Sequence, residues 1–394
     1  MLVVEKNLDV LGGHEITQVA AIYSLVGNRP VTFIIGRQCE PSLCDASTVF
    51  SVLSTRKEIK RTPTQAVDYD FDAMRDFLSS GKRLHEPILY VTAQTHDLRV
   101  ALRLVSGLSI SPKIYLRVLV EKELVNLTGD ERAALKSAIA AERIILLTET
   151  ESFAAHLRAR YGLTFHETAL CLPCSVFPGQ AANFPIVPNS QTRRFRVGFL
   201  GGWRTEKGVD MLPQVIRHLR YALDTANNAP KVDLIIQKPP LRKALQGSKK
   251  LKGIKKSVIR DYLFWRGVGF STRSKLLSLS FRTTELSKKD FLATLMSVDL
   301  LVVPYRLDDY RHRGSGVILD GVAARKPIVY TRGMGMTEFL SHGNAEPASE
   351  DPKDYADKVV RILSNIETFR TSADQAAIEF DRRIDQTSSF LRSI

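Results

Sequence analysis

Short apolar runs alternate with helical patterns along nearly the whole chain, and this alternation limits the possible folds more than any other feature. In the first half, strands are predicted at Leu2–Glu5, Val31–Ile35, Thr48–Leu53, Pro87–Thr92, Lys113–Val120 and Arg143–Leu147. The second half resumes the same alternation at Phe195. Because a helix follows each strand, neighbouring strands are parallel and both faces of the sheet are covered. The sequence therefore predicts an α/β fold with doubly wound, Rossmann-like sheets, whose ligands bind beyond the carboxyl ends of the strands.

The alternation stops between residues 176 and 192, where Pro and small polar residues are concentrated. This composition is typical of an interdomain linker. We therefore expect an N-terminal domain over residues 1–180, a linker over 181–194 and a C-terminal domain over 195–375, with the two domains facing each other across a cleft. The helix within residues 376–394 is expected to pack back toward the N-terminal domain.

The charge balance points to an anionic partner. The 394-residue chain has a formal net charge of +14, which suits nucleic acid, an acidic membrane face or a phosphorylated substrate. No apolar run approaches the roughly 18 residues of a membrane span. The first residues also lack the layout of a signal peptide. Together these features predict a cytoplasmic protein.

The four cysteines allow two interpretations. Cys171 and Cys174 have the spacing of half a zinc site, for which Cys39 and Cys44 would supply the other half. The second pair is too widely spaced for a good zinc knuckle. Reduced structural thiols are therefore the favoured interpretation.

The stretch from Arg196 to Gly208 is the strongest local signal for a binding site. A short apolar run ends in Gly201 and Gly202, the cations Arg204 and Lys207 follow, and an amphipathic helix comes next. A strand, a glycine turn, two cations and a helix can together hold an anion such as phosphate. A βα turn whose cations face water gives the same pattern, so this stretch alone leaves both interpretations open.

A basic segment between Lys238 and Arg266 interleaves Lys and Arg with apolar residues and ends in an aromatic cluster. A basic amphipathic segment of this kind can lie on an anionic membrane surface. A solvated basic helix covering a domain edge explains the pattern equally well.

Motifs in both halves resemble those of nucleotide-sugar-dependent glycosyltransferases with the GT-B fold, in the group that includes glycosyltransferase family 4. Phe199–Gly208 resembles the family's Lys-Gly element, Asp299–Tyr305 the strand before the donor loop, and Gly314–Val329 the helix and strand bearing its Glu–seven–Glu motif. Gly12–Glu15 and Thr95–Asp97 fall where the family has its acceptor-side glycine loop and a histidine near the transferred sugar. The resemblance is strong over residues 195–365 and loose before them.

The resemblance implies sugar transfer from a nucleoside-diphosphate sugar, such as a UDP- or GDP-sugar, to an acceptor hydroxyl, with no cofactor. It suggests a lipid-linked or polysaccharide-precursor acceptor, in exopolysaccharide or lipopolysaccharide synthesis at the cytoplasmic face of the inner membrane. The residues it implies are, for the donor, Gly201, Gly202, Arg204, Lys207, Ser315, Gly316, Asp320 and Glu338; for the acceptor, Gly12, Gly13 and His14; and for catalysis, His96, Asp97 and Glu15.

Two positions depart from the family's pattern. The second acidic residue of the motif corresponds to Asp320, which can still accept ribose hydroxyls, but the first corresponds to His312. The family's arginine stands five residues before the lysine, where this chain has Gly202. Arg204 is expected to reach the same phosphate from a shifted position.

Asp68-Tyr-Asp70-Phe-Asp72 resembles the Asp-x-Asp metal motif of the GT-A glycosyltransferases. Because it precedes a helix predicted at Asp72–Ser80, helix capping is the favoured explanation. The GT-B family instead stabilises the leaving diphosphate with cations and a helix N-terminus. No metal is therefore predicted.

Two other functions stay open on the sequence. A catalytically silent GT-B scaffold subunit fits the same motifs. A basic α/β protein that binds nucleic acid fits the charge, but no zinc module, helix-turn-helix or RNA-binding signature supports it. We therefore expect no nucleic-acid partner.

Overall fold

The computed structural model describes residues 1–6, 8, 14–39, 48–81, 83–180, 194–226, 229–238, 274–283 and 286–394. The chain divides into two compact units. Unit 1 comprises Met1–Cys174, His312–Gly314 and Arg382–Ile394, and unit 2 comprises Ser175–Arg311 and Ser315–Asp381. The predicted linker lies outside the described residues, except for Arg194.

Unit 1 is built on a parallel sheet with the strand order β3-β2-β1-β4-β5-β6. The strands are β1 (Leu2–Glu5), β2 (Thr32–Gly36), β3 (Thr48–Leu53), β4 (Ile88–Tyr90), β5 (Ile114–Arg117) and β6 (Ile144–Leu147). The helices are α1 (His14–Leu25), α2 (Arg56–Arg61), α3 (Pro63–Ser80), α4 (Thr95–Gly107), α5 (Lys122–Val125), α6 (Gly129–Ala140) and α7 (Glu151–Tyr161). The strand order reverses between β1 and β4, so their carboxyl ends form the switch point where ligands bind in such sheets.

Unit 2 repeats this arrangement with the strand order β12-β11-β10-β7-β8-β9, again parallel. The strands are β7 (Phe195–Phe199), β8 (Val232–Gln237), β9 (Leu277–Arg282), β10 (Leu300–Val303), β11 (Ile328–Thr331) and β12 (Ala345–Ala348). The helices are α8 (Leu212–Thr225), α9 (Lys288–Ser297), α10 (Leu307–Tyr310), α11 (Gly316–Ala323), α12 (Thr337–Leu340), α13 (Pro352–Ser364) and α14 (Ile366–Ser393). Its switch point lies between β7 and β10.

The burial of β1 shows why the sheets are doubly wound. Leu2 and Val4 belong to one buried apolar cluster, and Val3 belongs to a second cluster. Successive side chains of a strand point to opposite faces, so both faces of this sheet are covered. The predicted α/β class, with two doubly wound parallel sheets, is confirmed.

The differences from the sequence prediction include three elements. Helix α3 begins at Pro63 instead of Asp72, because Pro suits the first turn of a helix. The earlier start was missed because the acidic residues within the helix interrupt its apolar pattern. The buried apolar face consists of Ala66, Val67, Met74 and Leu78. Strand β12 was not predicted, because Pro347 weakens the strand signal; as an edge strand, β12 tolerates a proline. Helix α14 is one continuous helix of 28 residues.

The end of α14 belongs to unit 1 and lies against α1. The Ser388 hydroxyl donates a hydrogen bond to the carbonyl of Leu25 at 2.7 Å. Arg29 Nη1 donates to the carbonyl of Arg392 at 2.8 Å. These contacts hold the C-terminal residues on the N-terminal unit.

Candidate functional site

The glycine turn after β7 lies at the switch point of unit 2. Gly201 has a φ of +112°, a conformation that favours glycine. Its N–H donates to the side-chain oxygen of Gln237, at the end of β8, at 2.6 Å. A Cβ atom on Gly201 would lie 3.0 Å from Lys207 Nζ and 3.3 Å from Val317 Cγ2. The turn therefore brings the lysine and the first turn of α11 to one place.

The turn that carries Lys207 packs directly on the residue after β10. Thr205–Lys207 form a single 3-10 turn that ends at Gly208, with a φ of +72°. A Cβ atom on Gly208 would overlap the carbonyl oxygen of Pro304. Only glycine permits this approach, which fixes Lys207 beside the carboxyl end of β10.

Tyr305 and Tyr310 contact the two predicted cations, Lys207 and Arg204. Lys207 Nζ lies 5.1 Å from the centre of the Tyr305 ring. The rings of Tyr305 and Tyr310 are 4.4 Å apart. Arg204 Nη2 lies 3.5 Å from the hydroxyl of Tyr310, and its Nε lies 3.1 Å from Glu206. The sequence analysis did not identify these tyrosines or Gln237.

Ser315 caps helix α11, which begins at Gly316. The Ser315 hydroxyl accepts a hydrogen bond from the Ile318 N–H at 3.4 Å. This side chain is therefore used by the helix itself, and a ligand contact from this turn would come from backbone N–H groups. Since Val317 borders Gly201, the start of α11 adjoins the glycine turn.

Asp320, predicted to accept ribose hydroxyls, is buried next to backbone donors, and its ribose contact stays a prediction. Asp320 is 1% exposed, and its Oδ1 accepts hydrogen bonds from the backbone N–H groups of Ser175 and Val176 at 2.6 and 2.9 Å. Burial raises the pKa of Asp320 to about 6, against the opposing effect of these hydrogen bonds. The carboxyl group therefore holds the chain segment that opens unit 2.

Glu338 lies in the short helix α12, and its side chain is partly exposed. Its backbone carbonyl accepts a hydrogen bond from His342 Nε2 at 3.0 Å. Its predicted donor contact stays a prediction.

In unit 1, His96 and Asp97 lie in the first turn of α4, just beyond β4, and both are buried. Asp97 Oδ2 accepts the N–H of Gln94 at 2.9 Å, and Oδ1 pairs with Lys6 Nζ at 2.5 Å. Both oxygens of Asp97 thus hold the helix start and a buried lysine, and its predicted catalytic role stays a prediction. His96 Nε2 lies 2.7 Å from Asp70 Oδ2.

The Asp68–Asp72 stretch is neither a helix cap nor a shared metal site. All three carboxylates lie inside α3 and take different partners: Asp68 pairs with Arg103, Asp70 with His96, and Asp72 with Arg75. The expected capping role is therefore wrong. Among the described residues, no group of three or more His, Cys, Asp or Glu side chains is arranged to hold a metal ion.

Other predicted positions can be placed only in part. Gly12, Gly13 and most of the basic segment between Lys238 and Arg266 lie outside the described residues. His14 begins α1, and Glu15 is in its first turn. Cys39, Cys171 and Cys174 are buried, whereas Cys44 lies outside the described residues.

Three solved structures resemble this chain along its full length. A glycosyltransferase from Rickettsia africae aligns with 100% of this chain and 97% of its own, at 10% identity and a TM-score of 0.65. An E. coli trehalose-6-phosphate structure bound with UDP-2-fluoro glucose aligns with 100% of this chain and 99% of its own, at 12% identity and a TM-score of 0.63. A sucrose-phosphate synthase from Thermosynechococcus elongatus aligns with 100% of this chain and 98% of its own, at 13% identity and a TM-score of 0.62. The chain has the GT-B fold.

No family model and no curated protein sequence matches this GT-B chain. At these identities the likeness establishes the GT-B fold alone, and the activity has to be argued from the site. In the described part of the chain, no helix is both long and apolar enough to cross a membrane.

The departures in this GT-B chain can now be placed. A Cβ atom on Gly202, the position of the missing arginine, would lie 3.6 Å from Arg204 Nε. The side chain of Arg204 therefore folds back over Gly202. The His312 ring stacks on His156, with ring centres 3.6 Å apart.

Proposed function

We propose that this chain transfers a sugar from a nucleoside-diphosphate sugar to an acceptor hydroxyl. One observation carries the proposal: Arg204 and Lys207 share the Tyr305–Tyr310 pair at the switch point of unit 2, next to the start of α11. Switch points of doubly wound sheets bind ligands. Two cations and a helix N-terminus favour an anion there.

The chemistry of the transfer suits this arrangement. When the glycosidic bond to the donor breaks, the departing diphosphate gains negative charge. Fixed cations that face this charge stabilise the transition state more than the ground state. Lys207 and Arg204 would supply the cations, with the backbone N–H groups of Ser315 and Gly316 as further donors. We therefore propose a reaction that needs no metal ion.

Unit 1 would bind the sugar or acceptor through neutral hydroxyl groups. We propose that His96 contacts a hydroxyl, that Gly12, Gly13 and His14 bind the acceptor, and that Glu15 is a candidate catalytic residue. An inverting reaction requires a base in this region, whereas a retaining reaction does not. Both stereochemical outcomes are compatible with the proposal.

The proposed acceptor is a lipid-linked or polysaccharide-precursor glycan, reached at the cytoplasmic face of an anionic membrane. The net charge of +14 and the basic segment between Lys238 and Arg266 support this assignment. Basic segments bind anionic leaflets through the sum of weak attractions. The biosynthetic role would then be exopolysaccharide or lipopolysaccharide assembly.

A panel of nucleotide sugars tests the proposal. Thermal-shift screening is expected to show stabilisation by one class of nucleoside-diphosphate sugar, since a ligand that binds only the folded state raises the midpoint. Mass spectrometry should then show transfer or slow hydrolysis of that donor. Binding without any turnover would favour a silent scaffold, and retention on polyanions without donor binding would favour a nucleic-acid-binding protein.

A further inference from the structure

A cluster of buried charged side chains lies at the carboxyl ends of β1 and β4. Lys6 follows β1, and His96 and Asp97 begin α4 just after β4. Asp70 joins them from the middle of α3. Their exposed fractions are 4% for Lys6, 6% for His96, and 2% for each aspartate. The cluster therefore occupies the switch point of unit 1 and is almost wholly buried.

Asp70 is held on both oxygens. Its Oδ1 accepts the backbone N–H of Ser54 at 2.6 Å, and its Oδ2 lies 2.7 Å from His96 Nε2 and 3.6 Å from Lys6 Nζ. Burial opposes ionisation of Asp70, but the hydrogen bond from His96 and the charge of Lys6 outweigh it and lower the pKa. Asp70 is therefore a carboxylate, which can only accept hydrogen bonds.

The charge of Asp70 determines the tautomer of His96. Because a carboxylate cannot donate, the short contact requires the imidazole proton to be on Nε2. In the neutral ring, Nδ1 then carries a lone pair. Among the described residues, this buried Nδ1 has no hydrogen-bond partner.

We propose that Asp70 is a positioning residue that fixes the proton of His96 on Nε2, so that Nδ1 accepts a hydrogen bond from a ligand hydroxyl. This inference rests on the proposed function for the identity of the ligand, a hydroxyl of the sugar or acceptor. The lone pair of Nδ1 suits a hydroxyl and repels a phosphate oxygen. The one ammonium group in the cluster, Lys6, is already paired with Asp97 and near Asp70.

The first test is spectroscopic and needs no enzymatic turnover. In ¹⁵N-labelled protein at pH 8, two-bond correlation spectra should show His96 with a protonated Nε2 and an unprotonated Nδ1. The variant His96→Gln identifies its resonances among the eight histidines. A wild-type His96 protonated on Nδ1 would overturn the inference, whatever the protein's activity.

The variant Asp70→Asn sharpens this test. The Ser54 N–H will retain the side-chain oxygen, so the new amide NH₂ will point at His96 Nε2. Nε2 must then accept, and the imidazole proton is expected to move to Nδ1. Asp68→Asn is the matched control, because it is on the same helix, two residues earlier, and pairs with exposed Arg103. It should leave the tautomer unchanged.

Transfer kinetics and ligand addition test the second part of the proposal, the hydrogen bond between His96 Nδ1 and a ligand hydroxyl. Asp70→Asn is expected to lower kcat/KM at least about tenfold, because Nδ1 would offer a proton where a lone pair is needed. Asp68→Asn should remain at the wild-type value. Saturating donor and acceptor should also shift the Nδ1 resonance of wild-type His96. Unchanged kinetics in Asp70→Asn despite a changed tautomer, or an unmoved Nδ1 resonance, would refute the hydroxyl contact. A wild-type protein without any turnover would refute the proposed function, and the tautomer spectra would still decide the role of Asp70.

Discussion

The ammonium group of Lys207 lies over the ring of Tyr305, 5.1 Å from its centre. Tyr305 is 2% exposed and packs against Tyr310, which in turn meets Arg204. A cation over a buried aromatic face gains roughly 0.5–2 kcal/mol. The tyrosine pair thus sets the positions of both cations before any ligand arrives.

Replacing the ring of Tyr305 should therefore weaken donor binding. We expect Tyr305→Leu to raise the dissociation constant of the nucleotide sugar by about 2- to 30-fold, the range that this interaction energy sets. Tyr305→Phe retains the ring and should stay close to wild type in donor affinity. Titration calorimetry on both variants measures the difference. Equal affinities for the Leu and Phe variants would show that the Tyr305 ring does not position Lys207 for the donor.

The buried carboxyl group of Asp320 should make the free energy of unfolding depend on pH. Its pKa is raised to about 6 in the folded protein from 3.8. A carboxyl group with a raised pKa stabilises the fold when protonated, so stability from this group falls as the pH rises from about 4 to 6. Asp320→Asn cannot ionise and its oxygen can still accept from Ser175 and Val176. It should therefore be more stable than wild type at pH 7, by about 2–3 kcal/mol, and nearly equal at pH 4.

Urea unfolding at several pH values measures this effect. Asp320→Leu serves as the comparison, because it leaves two backbone N–H groups without their acceptor and should be destabilised at every pH. An Asn variant less stable than wild type at pH 7 would show that the ionised carboxylate is needed.

The proposed reaction should survive metal chelation. Lys207 and Arg204 are expected to neutralise the leaving diphosphate, so excess EDTA should leave the transfer rate within about twofold of the untreated rate. The assay compares EDTA-treated protein with and without added manganese. Complete loss on chelation, with rescue by manganese, would reverse this assignment.

Membrane association is predicted from the basic segment. Each Lys or Arg near an anionic leaflet contributes about 1 kcal/mol, and exposed charges act over about 8 Å at physiological ionic strength. We expect co-sedimentation with anionic liposomes that falls steeply with salt. It should weaken further when five lysines become Gln: Lys249, Lys250, Lys252, Lys255 and Lys256. Equal binding to neutral and anionic liposomes, or no binding, would favour a soluble acceptor.

Periodicity in the sequence was sufficient to predict the sheets. All strands except β12 were expected, because buried parallel strands are continuous apolar runs. The glycine turn and its two cations were also expected, because Gly201 and Lys207 are local to one stretch.

The parts that sequence reasoning missed depend on contacts between distant residues. In the sequence, Tyr305 has the pattern of an ordinary core tyrosine. Its contact with Lys207 is visible only in the structure. The structural role of Asp320 could not be predicted, because its partners Ser175 and Val176 lie more than 140 residues away in the chain. Asp70 likewise looked like a helix cap, since nothing local relates it to His96.

Donor binding by Lys207 is the claim on which the proposed function depends, and the transfer kinetics of Lys207→Ala examine it. We expect kcat/KM to fall by about 30- to 10³-fold, equivalent to roughly 2–4 kcal/mol of transition-state stabilisation. The free energy of unfolding should change little, because the side chain is partly exposed. Lys353→Ala, which removes an exposed lysine paired with Asp357 in α13 of the same unit, should retain the wild-type rate. A Lys207→Ala variant that transfers sugar at the wild-type rate would contradict the assignment of this site to the donor.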